Sequence, residues 1–450
     1  MSEELRENKM GTMPVRRLVL SMSLPMMIAM LVQALYNVVD SYFVAKISED
    51  AMTALSLVYP AQNLINAVTI GFAVGANAVI SYHLGAQNVQ KADAAAAQSI
   101  VYNAVHGIIL TIVLYIAMPY FLGMFTDDEA VIDMGLRYSN IAFAFAVFFA
   151  ISMSMEKIFQ AAGKMLMAMI CMLASGICNI ILDPIFIFGL GPVPRMGIEG
   201  AAWATGLSQS IGVVVYIVCY KVGKLPMRIR FGKDIFDMQL TKNMYSVGIP
   251  ASLNIALPSL LISCLNVILY SYTQVYVFVL GAYYKLQMFL YMPVNGIVQG
   301  MRPIIGYNYG AKEYARVQKI YTTALAMSAC IMTVGTILCW AIPEQLIGLF
   351  SESADTIEIG STALRIISIG FIVSAVSVIS SGALEGLGKG TPSLTISLLR
   401  YVIIIIPAAY ILSKATGSAV GVWHAFWITE ILTAILAYIQ YRRVTTVMMK

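Results

Sequence analysis

Charge is what this chain has least of. Asp, Glu, Lys and Arg together make up 11% of its 450 residues, half or less of the share a soluble globular protein carries. A water-soluble fold is therefore excluded. Histidine is nearly absent, with three residues, and these form no metal-ligand spacing. His106 and His424 fall within apolar stretches and are read as hydrogen-bonded packing groups rather than proton relays. The six cysteines (171, 178, 219, 264, 330 and 339) show no C-x-x-C spacing and are read as small apolar residues. No H-E-x-x-H or G-x-S-x-G stands in a context that would serve catalysis, so the chain is not expected to be an enzyme, nor to carry a cofactor.

What is abundant is hydrocarbon. Apolar residues make up 59% of the chain, and runs near the ~20 residues that cross a bilayer recur almost end to end. Twelve spans are predicted, over 15–44, 53–81, 94–122, 131–159, 165–190 and 198–221, then 243–270, 275–306, 315–344, 357–382, 391–412 and 418–440. The start is polar and basic, with Arg6, Lys9, Arg16 and Arg17, and no small-residue cleavage site follows; it reads as a cytoplasmic tail. Cations gather after the even-numbered spans: Lys91, Lys164, Lys221, Lys224, Arg228, Arg230, Lys233, Lys242, Arg316, Lys319, Lys389, Arg442 and Arg443. The opposite loops carry Asp127, Asp128, Glu129, Glu352 and Asp355. Both termini are expected inside. The net charge of +5 follows from this asymmetry, and nucleic acid is not an expected partner.

Two stretches 225 residues apart spell nearly the same pattern. Gly75, Tyr82, Gly85 and Ala86 return as Gly300, Tyr307, Gly310 and Ala311; Pro25 returns as Pro250, and Gly163-Lys164 as Gly388-Lys389. The chain is a duplicated unit. Six spans per copy is an even number, so both copies enter the membrane in the same direction. The expected fold is an all-α integral membrane protein of 12 transmembrane helices in two six-helix lobes related by a parallel pseudo-twofold repeat: 1–220, a cytoplasmic linker at 221–242, and 243–450. A cleft between the lobes is the natural ligand site. The shared glycines permit close helix approach and are read as scaffold. Pro25 and Pro250 read equally as hinges or as punctuation at the helix start.

The halves disagree where chemistry is expected. The first span holds Gln33, Tyr36, Asn37 and Asp40 among apolar residues, and an ionisable group at such depth costs from about 2.5 kcal/mol upward. The fifth span holds Asn179 and Asp183, one turn apart on one helix face, followed by Pro184. The sixth offers Thr205. Their counterparts in the second half are Leu265 for Asp40, Val402 and Ile406 for Asn179 and Asp183 once Pro184 is set on Pro407, and Phe426 for Thr205 once Gly200 is set on Gly421. Two carboxylates, an amide and a hydroxyl suit a hard cation such as Na+; two carboxylates held close also suit a proton. The blander alternative has Asp183 capping a kinked helix and Asp40 bonded to backbone. The second half keeps Lys285, Gln287, Arg400 and Glu430, and a structural ion pair between Lys285 and Glu430 is predicted. Met288, Phe289, Tyr291 and Met292 follow Gln287. Beside a central cleft, that stripe would suit flat lipophilic ligands.

Asn37-x-x-Asp40-x-x-Phe43-Val, Gly75 through Gly85-Ala86, Asn179-Ile-Ile-Leu-Asp183-Pro184 and Gly200-Ala-Ala-Trp-Ala-Thr205 together resemble the MATE family, the multidrug and toxic compound extrusion transporters, over the whole chain. The resemblance implies antiport of lipophilic, often cationic drugs against Na+ or H+. It implies a cation site of Asp40, Asn179, Asp183 and Thr205, with Gln33, Tyr36 and Asn37 near substrate; Met288, Tyr291 and Met292 complete the expected substrate set. The acid that NorM-like members carry beyond the seventh-span Gly-x-Pro is missing after Gly248-Ile-Pro250, and their tenth-span aspartate is replaced by the serine-rich Ser374 to Ser381 region. The chain is therefore similar to the DinF-like and MepA-like bacterial branch. The expected setting is a bacterial inner membrane, with small-molecule drugs and lipids as partners and the chain acting as a monomer. A flippase for lipid-linked saccharides is the rival reading.

Overall fold

The computed structural model describes residues 8–232 and 236–448; Arg6 and Lys233 lie outside them. Among the described residues every regular element is helical. A short α1 (Lys9–Thr12) leads into α2 (Val15–Ala45), α3 (Glu49–Gly85), α4 (Val89–Gly123), α5 (Glu129–Ala144), α6 (Ala146–Ala161), α7 (Met165–Phe188) and α8 (Ile198–Val222). The second half runs α9 (Met238–Tyr270), α10 (Gln274–Gly310), α11 (Tyr314–Ala341), α12 (Pro343–Gly348), α13 (Ala354–Ile367), α14 (Phe371–Gly386), α15 (Gly390–Leu398), α16 (Ile405–Thr416) and α17 (Val420–Met448). Eleven helical stretches are long and apolar enough to cross a membrane, and α5 with α6, bent by 45°, make a twelfth. This is a multi-pass membrane protein.

Three helices begin at side-chain caps, at Glu49, Val89 and Glu129, a few residues ahead of the predicted starts at 53, 94 and 131. Ser48 accepts from the Ala51 amide to cap α3, Asn88 from Lys91 to cap α4, and Asp128 from Ala130 and Val131 to cap α5. Each such oxygen satisfies an amide that the first helical turn leaves unpaired. The acids of the Asp127 to Glu129 loop thus also serve as a helix start.

Both copies break at the same place for the same reason. In the first, the fourth span interrupts at Phe145, and the Thr111 hydroxyl from α4 reaches the Phe143 carbonyl at 2.6 Å. In the second, the tenth span passes through a 3₁₀ turn at Ser368–Gly370, and the Thr336 hydroxyl reaches the Ser368 carbonyl at 3.2 Å. All three positions of the second break lie 225 beyond those of the first, with Gly370 answering Phe145. A neighbouring hydroxyl that takes over a carbonyl lets a helix bend without leaving that group unpaired in the membrane.

Compactness divides the chain differently from a simple cut at the linker. One unit is built on Ile28–Ser252, the other on Met10–Met27 with Leu253–Lys450. The start of α2 thus belongs with the second half and the start of α9 with the first. Glycines make both seats. Within the first unit, Gly71 and Gly75 of α3 are covered by the backbone at Ser252 and Met244; within the second, Gly296 and Gly300 of α10 are covered at Met27 and at Met22 and Ser23. A Cβ at any of the four would overlap its neighbour. Between apolar helices in lipid there is little hydrophobic drive, so close approach over small residues is what holds the pair.

Pro25 lies ten residues into α2, and Pro250 lies inside α9, so neither marks a helix start. The described part of the linker is docked on the first unit. Asp93 accepts from the Arg228 amide at 2.7 Å, the Tyr220 hydroxyl accepts from the Ile229 amide at 2.7 Å, and Met227 is buried. Two of the three histidines are hydrogen-bonded to aromatic neighbours: His106 Nε2 shares a hydrogen bond with the Tyr245 hydroxyl at 2.8 Å, and His424 Nδ1 accepts from Trp427 at 3.0 Å.

Candidate functional site

The polar residues of the first half converge. Asn179 and Asp183 are one turn apart on α7, and Thr205 faces them from α8. The Asn179 side-chain amide donates to Asp183 Oδ1 at 3.3 Å and to Thr205 Oγ1 at 3.3 Å. Pro184, directly after Asp183, has no N–H to donate to the Ile180 carbonyl, so α7 is locally opened beside the acid. Asp40 arrives from α2 and lies within electrostatic reach of Asp183.

Both hydrogens of the Asn179 amide are donated, while acceptors beside it are left without a donor. Asp40 Oδ1, Asn179 Oδ1 and Asp183 Oδ2 are buried without a hydrogen-bond partner. Buried polar atoms in a folded protein are nearly all paired, so three orphaned oxygens in one group stand out. An amide oxygen with carboxylate oxygens matches the hard ligand set of Na+, and either carboxylate would accept a proton.

Around the acids stand aromatic hydroxyls. Gln33 hydrogen-bonds Tyr36, whose ring lies against Gly176: a Cβ there would sit 3.3 Å from the ring. Tyr138 of α5 is buried, accepts from Gln62 Nε2 at 2.9 Å, and is within electrostatic reach of Asp40, Asp183 and Tyr36. Gln33 and Asn37 are exposed. Sequence reasoning passed over Tyr138 and Gln62, since neither tyrosine nor glutamine is distinctive in a membrane chain. It also missed two ion pairs, the buried Glu156 with Lys157 at 2.7 Å and the part-buried Arg302 with buried Glu385. The adjacent Glu156-Lys157 inside an apolar run was the available signal for the first.

In the second half the corresponding positions are filled with hydrocarbon. Leu265 is fully buried and Phe426 nearly so, in one apolar core against which Ile406 packs. The predicted pair of Lys285 with Glu430 is not formed. Glu430 instead takes Arg400, whose Nε and Nη2 lie 2.8 and 2.6 Å from Oε1, while Lys285 is exposed with its ammonium 5.8 Å from the Phe350 ring centre. The reason is azimuth: Lys285 points off the face of α10 that meets α17, and the forked guanidinium comes from a π-helical turn at Leu399–Ile403. The expected substrate residues of α10 also separate. Met288 is exposed, Met292 is buried, and Tyr291 is engaged through its hydroxyl by Ser374 at 2.7 Å and Arg400 at 3.2 Å.

The known proteins that this chain is similar to agree with this architecture. It is 27% identical over 436 residues to the multidrug export protein MepA of Staphylococcus aureus, covering 94% of this chain and 93% of that one. It is 25% identical over 418 residues to the MepA of Staphylococcus saprophyticus, covering 92% and 91%. Among solved structures, an outward-facing multidrug resistance MATE family transporter of the MOP superfamily superposes with a TM-score of 0.92 at 24% identity, over 98% of each chain. A MOP superfamily transporter from Pyrococcus furiosus gives the same score and identity over 100% and 99%. The MatE family profile matches twice, over 25–185 and 250–411, its two starts separated by the same 225 residues as the internal repeat. With the profile covering well over half of its length, this chain belongs to the MatE family.

Proposed function

We propose that this protein is a cation-coupled multidrug antiporter that exports lipophilic, often cationic small molecules in exchange for H+ or Na+. The observation that carries the reading is the cluster of unsatisfied acceptors, Asp40 Oδ1, Asn179 Oδ1 and Asp183 Oδ2, buried in the first half. A guest cation supplies the charge these oxygens lack. Asp40 and Asp183 hold it, Asn179 orients Asp183 through its amide, and Thr205 adds a hydroxyl oxygen. The names of the relatives, export proteins for multiple drugs, support the drug side of the exchange.

Transport proceeds by alternating access, the substrate site opening to one side of the membrane and then to the other. Coupling requires that the cation bind one of these states more tightly, since equal affinity shifts nothing. Asp40 is the group to supply the difference, because it sits on α2, one of the helices whose two ends belong to different units. One charge moving through 100 mV yields about 2.3 kcal/mol, enough for roughly fiftyfold accumulation before any chemical gradient. The cation clusters support a reading with both termini in the cytoplasm and the protein in the inner membrane of a bacterium.

The test is drug efflux in proteoliposomes with Na+ and pH gradients imposed separately. Wild type should respond to one of them, and Asp40→Asn and Asp183→Asn should lose gradient-driven efflux while remaining folded. Full gradient-dependent efflux by either variant would overturn the assignment.

A further inference from the structure

Arg400 is held by the second half the way a binding protein holds an organic cation. Its guanidinium sits over two tyrosine rings, 5.7 Å from the centre of Tyr291 and 5.2 Å from that of Tyr401. Glu430 pairs with it at 2.6 and 2.8 Å, and the Tyr291 and Tyr401 hydroxyls accept from Nη2 and Nη1 at 3.2 and 3.3 Å. A third ring, Tyr284, places a buried hydroxyl without a hydrogen-bond partner within electrostatic reach of Tyr401, Arg400, Tyr291 and Glu430. Aromatic faces around a carboxylate are the standard means of recognising a soft cation.

The scaffold does not require this arrangement. Shifted by 225, Tyr291 corresponds to Asn66, and with Pro184 set on Pro407, Arg400 and Tyr401 correspond to Ile177 and Cys178, so these positions of the first half carry no cage. The backbone carries a second sign. Arg400 stands in the π-helical turn Leu399–Ile403, and such turns are rare and frequently found at functional sites. A buried ion pair is also a poor means of gaining stability, since well-packed apolar residues do as well or better. The pair is not sealed: the side chains of Arg400 and Glu430 keep 8% and 15% of their exposure.

We propose that Glu430, with Tyr284, Tyr291 and Tyr401, forms a binding site for guanidinium-type organic cations, and that Arg400 fills it as a tethered occupant. An arriving cation of this class replaces the guanidinium on Glu430 and the two rings. This deepens the export reading by giving cationic substrates a site apart from the Asp40 and Asp183 cluster, and rests on that reading only for the role of the bound cation in transport.

Calorimetric titration of the purified full-length protein with methylguanidinium tests it, with N-methylurea as the neutral control of the same shape. Arg400→Met, which vacates the cage, should bind methylguanidinium at least tenfold more tightly than wild type. The double variant Arg400→Met/Glu430→Gln, which removes the charge as well, should lose that gain, and no variant should take N-methylurea. Equal binding by the single and double variants, or binding of the urea by Arg400→Met, would overturn the proposal. If Arg400→Met is recovered poorly, methylguanidinium in the purification buffer should raise its yield and melting temperature where N-methylurea does not; equal yields with both overturn it too. None of these measurements uses a gradient. Failure of coupled efflux would therefore sink the export reading and leave the cage, while failure here would remove the cage and leave the export reading.

Discussion

Pro25 and Pro250 each stand two residues before the point, Met27 or Ser252, at which the chain passes from one compact unit to the other. The helices continue through both prolines, yet each ring removes a backbone hydrogen bond from the turn just ahead of the crossing. A helix lacking that bond bends there more readily. Pro25→Ala restores the missing bond, so its melting temperature should equal or exceed that of wild type while drug efflux falls severalfold. Stability and transport moving down together would mean that Pro25 serves packing alone. Pro250→Ala measured in parallel tells whether both crossings bend.

The glycine seats give a stability prediction with an internal control. At Gly75 a new Cβ would overlap the Met244 carbonyl, and at Gly300 it would overlap the backbone of Met22 and Ser23. Backbone cannot move aside as a side-chain tip can, so Gly75→Leu or Gly300→Leu should destabilise by more than the ~1–3 kcal/mol usual for overpacking. Gly123, at the end of α4, has nothing near its missing Cβ. Gly123→Ala should be neutral or slightly stabilising. Melting curves in one detergent compare all three.

How far the sequence could be read depended on the question. Span number and the duplication were legible because a bilayer imposes a length and a composition on every segment, and because a 225-residue echo survives divergence at glycine and proline. The group around Asp183 was legible because an acid stands out against hydrocarbon, and because Asn179 one turn earlier must share its face. Glu430 was matched to the wrong cation because depth along a helix says nothing of direction around it: Lys285 lies deep in α10 yet points away. Tyr138 was hidden among 25 tyrosines. The exchange of helix starts was out of reach, since hydropathy reports on a segment and not on its neighbours.

Asp93 makes the linker testable. Its carboxylate accepts the Arg228 amide at 2.7 Å, and hydrogen bonds to a charged group contribute about 1.5–3 kcal/mol. Asp93→Ala should free the segment that presents Arg228 and Arg230, both exposed. Trypsin should then cut there roughly tenfold faster or more, in proportion to the larger open population. Cleavage elsewhere should be unchanged; an unaltered rate at Arg228 would show that Tyr220 and Met227 hold the linker by themselves.

Asn179 separates orientation from charge within the candidate cation site. Its amide donates to Asp183 and Thr205 and carries no charge of its own, while its remaining oxygen has no partner. Asn179→Ala removes both the tie on Asp183 and one cation ligand, so gradient-driven efflux should fall at least tenfold although both acids are intact. Thr205→Ser keeps the hydroxyl and should retain most activity. Thr205→Val keeps the shape, loses the oxygen, and leaves the Asn179 amide with one acceptor fewer, so it should fall between the other two. If Thr205→Val and Thr205→Ser transport alike under every imposed gradient, the hydroxyl serves neither as a ligand nor to position Asn179, and the site reduces to the amide and the two acids.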